Sequence, residues 1–341
     1  LIEEHNKIKP EKIQKMLQAI GDIGLLAKEL CQNKQYSLLE VDYIYAVIWE
    51  IHNIAGKDSK EKKSNLIAKM LSLLSPLESC YLIRILNGDL RVGVLEKTIV
   101  EAMYLFVSDE MSYSDFDFIY SIYPNVYELI NLCKTKNYGA LKNIAPKIGI
   151  PIIPAAADRV KNYKELSFEH LIAQPKYDGM RVQMHYSAEK NELFVFSRNL
   201  LPLNGTFPEI EKAFKEACHK KNISSLITDG EIMAYDTTKN VYKTFQDTIQ
   251  RRRKNDIVGS VNDNPVHYVI FDIMYCNNQS LIKESYTNRL HKIESFCLNN
   301  HNLIHAIKTE SINSSEEVHS FFMQCVNDGY EGIIIKNSES I

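Results

Sequence analysis

No C-x-x-C pair, no long apolar run and no strong excess of either charge occurs in these 341 residues. The seven cysteines (Cys31, Cys80, Cys133, Cys218, Cys276, Cys297 and Cys325) are scattered and odd in number. That argues against a disulfide framework and against a zinc site of the paired-cysteine kind, and it implies a reducing, intracellular compartment. The longest apolar stretches, such as Val266 to Met274, are too short to span a bilayer, so no membrane role is expected. Residues 1–30 are charged and helical in pattern, unlike a signal peptide. Repeats and low-complexity tracts are also missing. Lys and Arg number 40 against 43 Asp and Glu, a net charge of −3, so bulk charge does not mark a nucleic-acid binder. Two local clusters matter more: Lys57, Lys60, Lys62, Lys63, and Arg251, Arg252, Arg253, Lys254. Each alone is equally readable as a solvated loop or helix face.

What is present is ordinary globular composition, 45% hydrophobic and 24% charged, in a chain long enough for two or three domains. Up to about residue 145 the pattern is helix after helix. Pro10 opens a run with apolar Ile13, Leu17, Ile20, Leu25, Leu26 and Leu30. Ser37-Leu38-Leu39-Glu40 and Ser75-Pro76-Leu77-Glu78 read as capping boxes, the second with proline at the first helical position. The second leads into a helix ending at Asn87-Gly88, and Val94–Phe106 and Tyr113–Cys133 continue the pattern. Ile148-Gly149-Ile150-Pro151-Ile152-Ile153-Pro154 breaks it, because two prolines three apart favour extended chain. Strands are then expected at Val182–Tyr186, Leu193–Ser197, Leu226–Ala234, Val266–Tyr275 and Ile333–Lys336, with helices at Pro208–His219 and Ser314–Val326. The expected fold is therefore multidomain: an all-α domain over 1–147, then an α+β domain over 148–341 with antiparallel sheets.

The chemistry centres on Lys176-Tyr177-Asp178-Gly179-Met180-Arg181. It offers an amine, a carboxylate and a guanidinium around a glycine, where strand-like sequence passes into a turn and back. A lysine attacks phosphorus only as the free amine, so it needs neighbours that lower its pKa and hold the phosphate. Taken alone, the run is also an ordinary Asp-Gly surface turn. Four further pieces follow in order: Phe196-Ser197-Arg198-Asn199, Asp229-Gly230-Glu231-Ile232, Tyr268-Val269-Ile270-Phe271-Asp272, and Glu331-Gly332-Ile333-Ile334-Ile335-Lys336.

This ordered set resembles the covalent nucleotidyltransferases, and specifically the ATP-dependent DNA ligases. The resemblance covers nearly the whole chain. Residues 1–147 are similar to the helical DNA-binding domain of the larger eukaryotic, archaeal and viral enzymes, at Gly56 to Lys63 and at Gly88-Asp89-Leu90-Arg91-Val92-Gly93 with Glu96-Lys97-Thr98. The proline-rich stretch resembles the lead-in to their adenylation domain. The resemblance implies that Lys176 attacks the α-phosphate of ATP, with Mg²⁺ neutralising phosphate oxygens, to give a lysyl-AMP. The AMP then passes to the 5′-phosphate of a nick in duplex DNA, and the 3′-hydroxyl displaces it. By motif position Arg181 contacts ribose or phosphate, and Asp178 lies near metal and nick. Arg198 holds a phosphate, Glu231 accepts from the ribose hydroxyls, Phe271 stacks on adenine, Glu331 serves the metal, and Lys336 nears the phosphates. Gln174, where many relatives have Glu, helps to read the adenine amino group, and its carbonyl oxygen still accepts. Lys60, Lys62 and Lys63 are expected on DNA phosphates. Gly88 and Gly93 flank a helix start where backbone approaches DNA, with Arg91 between them.

A further lysine-rich motif and an OB-type barrel follow this point in the family, and neither is found before Ile341. Together with an initial Leu1, the resemblance leads us to expect a piece of a longer ligase, poor by itself at forming lysyl-AMP and at sealing. The resemblance implies a monomer acting on nicked duplex DNA in replication, repair or recombination, nuclear if the source is eukaryotic. Sliding-clamp partners are not legible. The alternatives are an mRNA capping guanylyltransferase or RNA ligase of the same superfamily, or a catalytically inactive DNA-binding relative. The helical first domain and the Ser-Arg-Asn turn disfavour the former, and intact Lys176, Glu231 and Glu331 disfavour the latter.

Overall fold

The computed structural model describes residues 8–31, 39–56, 58–253 and 265–341. Two compact units emerge, Leu1–Thr98 and Ile99–Ile341. The 147/148 boundary expected from sequence falls inside the second unit. The reason is packing: the core around Phe116, Leu129 and Leu141 also takes in Ile144, Ile150 and Ile153, which lie on both sides of that boundary.

In the first unit the described residues form helices Pro10–Ile20, Ile23–Leu30, Val41–Asn53, Ser59–Leu73 and Pro76–Asn87, and Glu96–Tyr104 bridges into the second. The apolar run after Pro10 makes two helices rather than one. Gly21 takes φ +69° and ends the first, and Asp22 caps the second by accepting from Gly24 and Leu25 N–H at 2.7 and 3.0 Å. Asp22 also receives Arg84 at 2.7 Å. That hydrogen bond, helped by the Leu25 N–H, pulls its carboxyl down to about 2. The Ser75 capping box forms as the spacing predicts: Glu78 N–H donates to Ser75 Oγ at 3.4 Å, and Ser75 N–H to Glu78 Oε2 at 2.8 Å. The Ser37–Glu40 box lies partly outside the described residues.

The second unit begins with helices Tyr113–Ile122, Val126–Lys134 and Tyr138–Lys142. The single helix expected over Tyr113–Cys133 is broken at Pro124, which lacks an N–H and forces Tyr123 out of helical geometry. Among the described residues no strand precedes Leu171. The described strands are β1 Leu171–Lys176, β2 Met180–Ser187, β3 Glu192–Ser197, β4 Ser225–Asp236, β5 Val241–Tyr242, β6 Val266–Cys276, β7 Gln279–Ser280, β8 Ile304–Ala306, β9 Glu310–Ile312 and β10 Gly332–Asn337. Helices Pro208–Lys220, Phe245–Arg253, Tyr286–Cys297 and Ser315–Asn327 intervene.

A three-stranded antiparallel sheet has the order β10-β1-β9, and a larger sheet runs β3-β2-β4-β6-β7, with β5 on β4 and β8 on β6. The β6–β8 pair is parallel, the one departure from the expected antiparallel pairing among the described residues. Strand alternation sorts the larger sheet into two faces. Met180, Val182, Met184 and Tyr186 of β2 enter the main core with Phe207, Ile210, Phe214, Ile293 and Phe296. The intervening residues, Arg181, Gln183 and His185, lie on the opposite face.

That opposite face of β2 carries a strap. Gln183 clamps the backbone of Ile152, accepting its N–H at 2.9 Å and donating to its carbonyl at 2.7 Å. His185 Nδ1 accepts the Gly149 N–H at 3.2 Å, and Arg181 Nη1 donates to the Ala155 carbonyl at 2.9 Å. Three alternate side chains of one strand thus fix 149–155 along the sheet. His185 is fully buried, and burial pushes its imidazole down to about 3. With Nδ1 accepting, the proton sits on Nε2, 3.3 Å from Gln183 Oε1.

Candidate active site

Lys176 is the last residue of β1, where the chain leaves the small sheet for the larger one. It sits opposite Gly332 in the β1–β10 register, and Glu331 N–H donates to its carbonyl at 3.0 Å. The Lys176 ammonium forms an ion pair with the Glu331 carboxylate, both side chains about half exposed. Aromatic packing fixes the stems. Tyr177, next to the lysine, meets Tyr330, next to the glutamate, edge-on at 5.1 Å, and Tyr242 at 5.6 Å. Asp178 is exposed and accepts the Phe245 N–H at 3.2 Å. Gly179 is required by space: a Cβ there would lie 2.5 Å from the Ile232 carbonyl oxygen and from Met233 Cγ.

Across the turn, Arg181 faces Glu231 in the β2–β4 register. Its guanidinium forks onto Asp229, with Nε 3.2 Å from both oxygens and Nη2 2.8 Å from one. Asp229 in turn faces Asp272 on β6, beside a register shift at Asp229/Gly230 that re-aims the chain. Asp272 has its own cation: Arg289 Nε donates to it at 2.9 Å. Gly230 permits this close stacking of strands, since a Cβ would lie 2.4 Å from the Val269 carbonyl oxygen. Among the described residues Glu231 receives no such partner. Burial, reinforced by the nearby Asp229 charge, pushes its carboxyl up to about 8, against the pull of Arg181 and Lys176.

The third group surrounds Phe271. The Arg181 guanidinium lies 5.2 Å from its ring centre and the Lys336 ammonium 5.5 Å. Tyr286 reaches in from helix Tyr286–Cys297. Its hydroxyl donates to the Phe271 carbonyl at 2.6 Å and accepts from Gln174 Nε2 at 2.8 Å and Lys336 Nζ at 2.9 Å. Gln174 also donates to Thr309 Oγ1 at 3.0 Å. Burial pushes the Lys336 amine down to about 8, with Asp272 opposing the shift.

The structure thus gathers Gln174, Lys176, Arg181, Glu231, Phe271, Glu331 and Lys336 along one side of the two sheets, with Asp178 at the rim. Arg198 is not drawn in. It is exposed in the turn after β3, where Leu200 N–H bonds to the Ser197 carbonyl at 2.9 Å. Asp229, Asp272, Tyr286, Arg289 and Thr309 belong to the cluster without a role assigned from sequence. The two aspartates stood inside the quoted motifs. Tyr286 gave no signal in the sequence; it is buried with Leu290 and Ile293 on one face of helix Tyr286–Cys297. Among the described residues no three His, Cys, Asp or Glu side chains gather as a metal site, and no helix is long and apolar enough to cross a membrane.

In the first unit, Lys60 and Lys62 are exposed and Lys63 half-buried near the start of helix Ser59–Leu73. Lys57 and the side chains of Arg251–Lys254 lie outside the described residues. Gly88 closes Pro76–Asn87, as the Asn87-Gly88 stop predicts, at φ +75° with its N–H on the Ile85 carbonyl at 3.0 Å. Gly93, at φ +70°, precedes helix Glu96–Tyr104, and open space surrounds both glycines. Arg91 is engaged internally, with Asp89 at 3.0 Å, Asp22 at 3.3 Å and the Gly21 carbonyl at 3.1 Å.

Residues 154–341 match the family model described as ATP dependent DNA ligase domain, and residues 1–104 match DNA ligase N terminus. DNA ligase 1 of Methanosarcina acetivorans is 31% identical over 98% of this chain and 58% of its own length. DNA ligase 1 of Methanosarcina barkeri is 32% identical over 97% of this chain and 61% of its own. The chain therefore spans less than two thirds of these relatives. A solved structure titled Pmar-Lig_PreS3 shares the fold with a TM-score of 0.56 at 18% identity, over 91% of this chain and 62% of that one.

Proposed function

The chain belongs to the ATP-dependent DNA ligase family, and from that premise we propose that it forms a lysyl-AMP at Lys176 and serves the sealing of 5′-phosphate/3′-hydroxyl nicks. The observation that carries this reading is the placement of an accessible Lys176 amine at a sheet edge, beside a face bearing Arg181, Glu231, Phe271 and Lys336.

In the first step Lys176 Nζ attacks the α-phosphorus of ATP. A P–N bond forms, the bond to the β-phosphate oxygen breaks, and pyrophosphate leaves. The amine must first shed its proton, so the ion pair with Glu331 either breaks or passes the proton across. Phe271 offers a stacking surface for adenine. Glu231 offers an acceptor for ribose hydroxyls when ionised and a donor when protonated, and Arg181 and Lys336 offer positive charge to phosphate. The AMP then passes to the DNA 5′-phosphate with cleavage of the P–N bond, and the 3′-hydroxyl attacks that phosphate to release AMP. A divalent cation such as Mg²⁺ supplies charge neutralisation at the phosphates. The exposed carboxylates of Glu331 and Asp178 are hard oxygen donors that suit an ion held partly by substrate phosphate.

We assign the duplex grip to residues 1–147, with Lys60, Lys62 and Lys63 on phosphates, Gly88 and Gly93 as open backbone, and the protein acting as a monomer. Arg198 belongs on a phosphate of the DNA or nucleotide. The test is incubation with Mg²⁺ and ATP labelled at the α- or the γ-phosphate. Covalent label from α only, lost in Lys176→Ala, supports the reading. Equal labelling of Lys176→Ala removes the lysine from its role, and labelling by GTP in preference to ATP favours a capping guanylyltransferase.

A further inference from the structure

Tyr286 binds three residues of the proposed nucleotide site through one oxygen atom. A phenol has one hydrogen to give and two lone pairs to receive with. The Phe271 carbonyl, 2.6 Å away, can only accept, so it takes the hydrogen. The Lys336 ammonium, 2.9 Å away, donates into one lone pair. The remaining partner, Gln174 at 2.8 Å, is left facing a lone pair and must present its amide N–H. Thr309 Oγ1 receives the second N–H at 3.0 Å. Gln174 is 1% exposed, so this orientation is set by fixed protein neighbours rather than by bulk water. Were the amide turned over, its carbonyl oxygen would face an oxygen whose hydrogen is already committed.

The consequence is chemical. With both amide hydrogens used, the only group Gln174 has left is its carbonyl oxygen, which has no hydrogen-bond partner among the described residues. An acceptor suits the 6-amino edge of adenine and repels the 6-oxo edge of guanine. A glutamate at position 174 would need no such orientation, since both of its oxygens accept. A glutamine is ambidextrous, and its selectivity depends on what holds it. We propose that Tyr286 is a specificity-determining positioning residue: it locks the Gln174 amide in the orientation that admits a 6-aminopurine nucleotide and rejects a 6-oxopurine. This rests on the proposed use of the site for ATP.

The test compares equilibrium binding of ATP and GTP to the intact chain, by competition against a fluorescent ATP analogue, for wild type, Tyr286→Phe, and Tyr286→Phe with Gln174→Glu. Phenylalanine keeps the buried ring and removes the oxygen. The ATP-over-GTP preference is expected to fall by about tenfold in Tyr286→Phe, the scale of one oriented hydrogen bond, and to return in the double variant, whose carboxylate cannot be turned the wrong way. Circular dichroism checks that both variants keep the wild-type fold. An unchanged preference in Tyr286→Phe overturns the inference and leaves the ATP reading intact. So does a lost preference that Gln174→Glu fails to restore, since the tyrosine would then act through packing. Wild-type protein that binds neither nucleotide overturns the ATP reading itself, and the inference with it.

Discussion

Lys176 and Glu331 are joined twice, through a side-chain ion pair and through the Glu331 N–H on the Lys176 carbonyl at 3.0 Å. The backbone bond, with the Tyr177–Tyr330 contact beside it, holds the two stems together whatever the charges do. The ion pair is therefore spare to stability and available to chemistry.

Glu331→Gln should shift urea stability by less than about 1 kcal/mol, because both partners are half exposed and screened. It should slow covalent labelling by ATP at least about tenfold. A stability loss of several kcal/mol with unchanged labelling would make the pair structural.

Two glycines should respond to alanine for different reasons. At Gly179 the new methyl meets a carbonyl oxygen and Met233 at 2.5 Å, so the strands must part, at a cost of about 2–3 kcal/mol. At Gly88 nothing lies within 4 Å, and only the positive φ opposes alanine, at about 1 kcal/mol. Chemical denaturation of the two variants gives the order. Equal costs would mean that the approach at Gly179 is not tight.

Glu231 imposes a pH slope. Its folded pKa of about 8 lies above the 4.5 of an ordinary glutamate, so between those values the folded state binds the proton that the unfolded state has released. The stability this contributes is fully present below about 4.5 and is lost as pH rises through about 8. The stability of wild type relative to Glu231→Gln should therefore fall from pH 5 to pH 8. A flat difference would show that Glu231 titrates normally in the fold.

The longer strands that carry this site were legible in advance, and the reasons are specific. The strands expected at Val182–Tyr186 and Val266–Tyr275 fall within β2 and β6, whereas the roles of Lys176, Arg181 and Phe271 came from the ordered motifs and the resemblance they carry. Pro76 and Glu78 announced their helix because caps are local chemistry. The short strands β5, β7, β8 and β9 were not legible, since two or three residues leave no period to read. Nor was Tyr286: a buried tyrosine on a helix looks the same whether its hydroxyl meets one residue or three. The helix end at Asn87-Gly88 was legible because a glycine past the last helical residue takes the left-handed conformation without strain.

Gln183→Leu tests the strap. It strands the Ile152 N–H and carbonyl and leaves His185 Nε2 facing a methyl group. The expected cost is about 2–4 kcal/mol in denaturant, with faster proteolytic cleavage within 148–156 under native conditions. Wild-type cleavage there would mean that the prolines alone hold the segment.

Arg181 has two holders, the Ala155 carbonyl and the Asp229 carboxylate. A guanidinium shared in this way makes a thermodynamic cycle out of two places that do not touch. If a nucleotide draws Arg181 toward phosphate, it loosens the grip on residue 155. Reciprocity then requires that a force freeing 149–155 alter nucleotide affinity by the same factor. Hydrogen exchange at the Gly149 and Ile152 amides should accordingly change when ATP saturates the site, and identical exchange would show the two bonds to be independent. On this view the extended chain before the first strand is a lever whose far end is a single arginine.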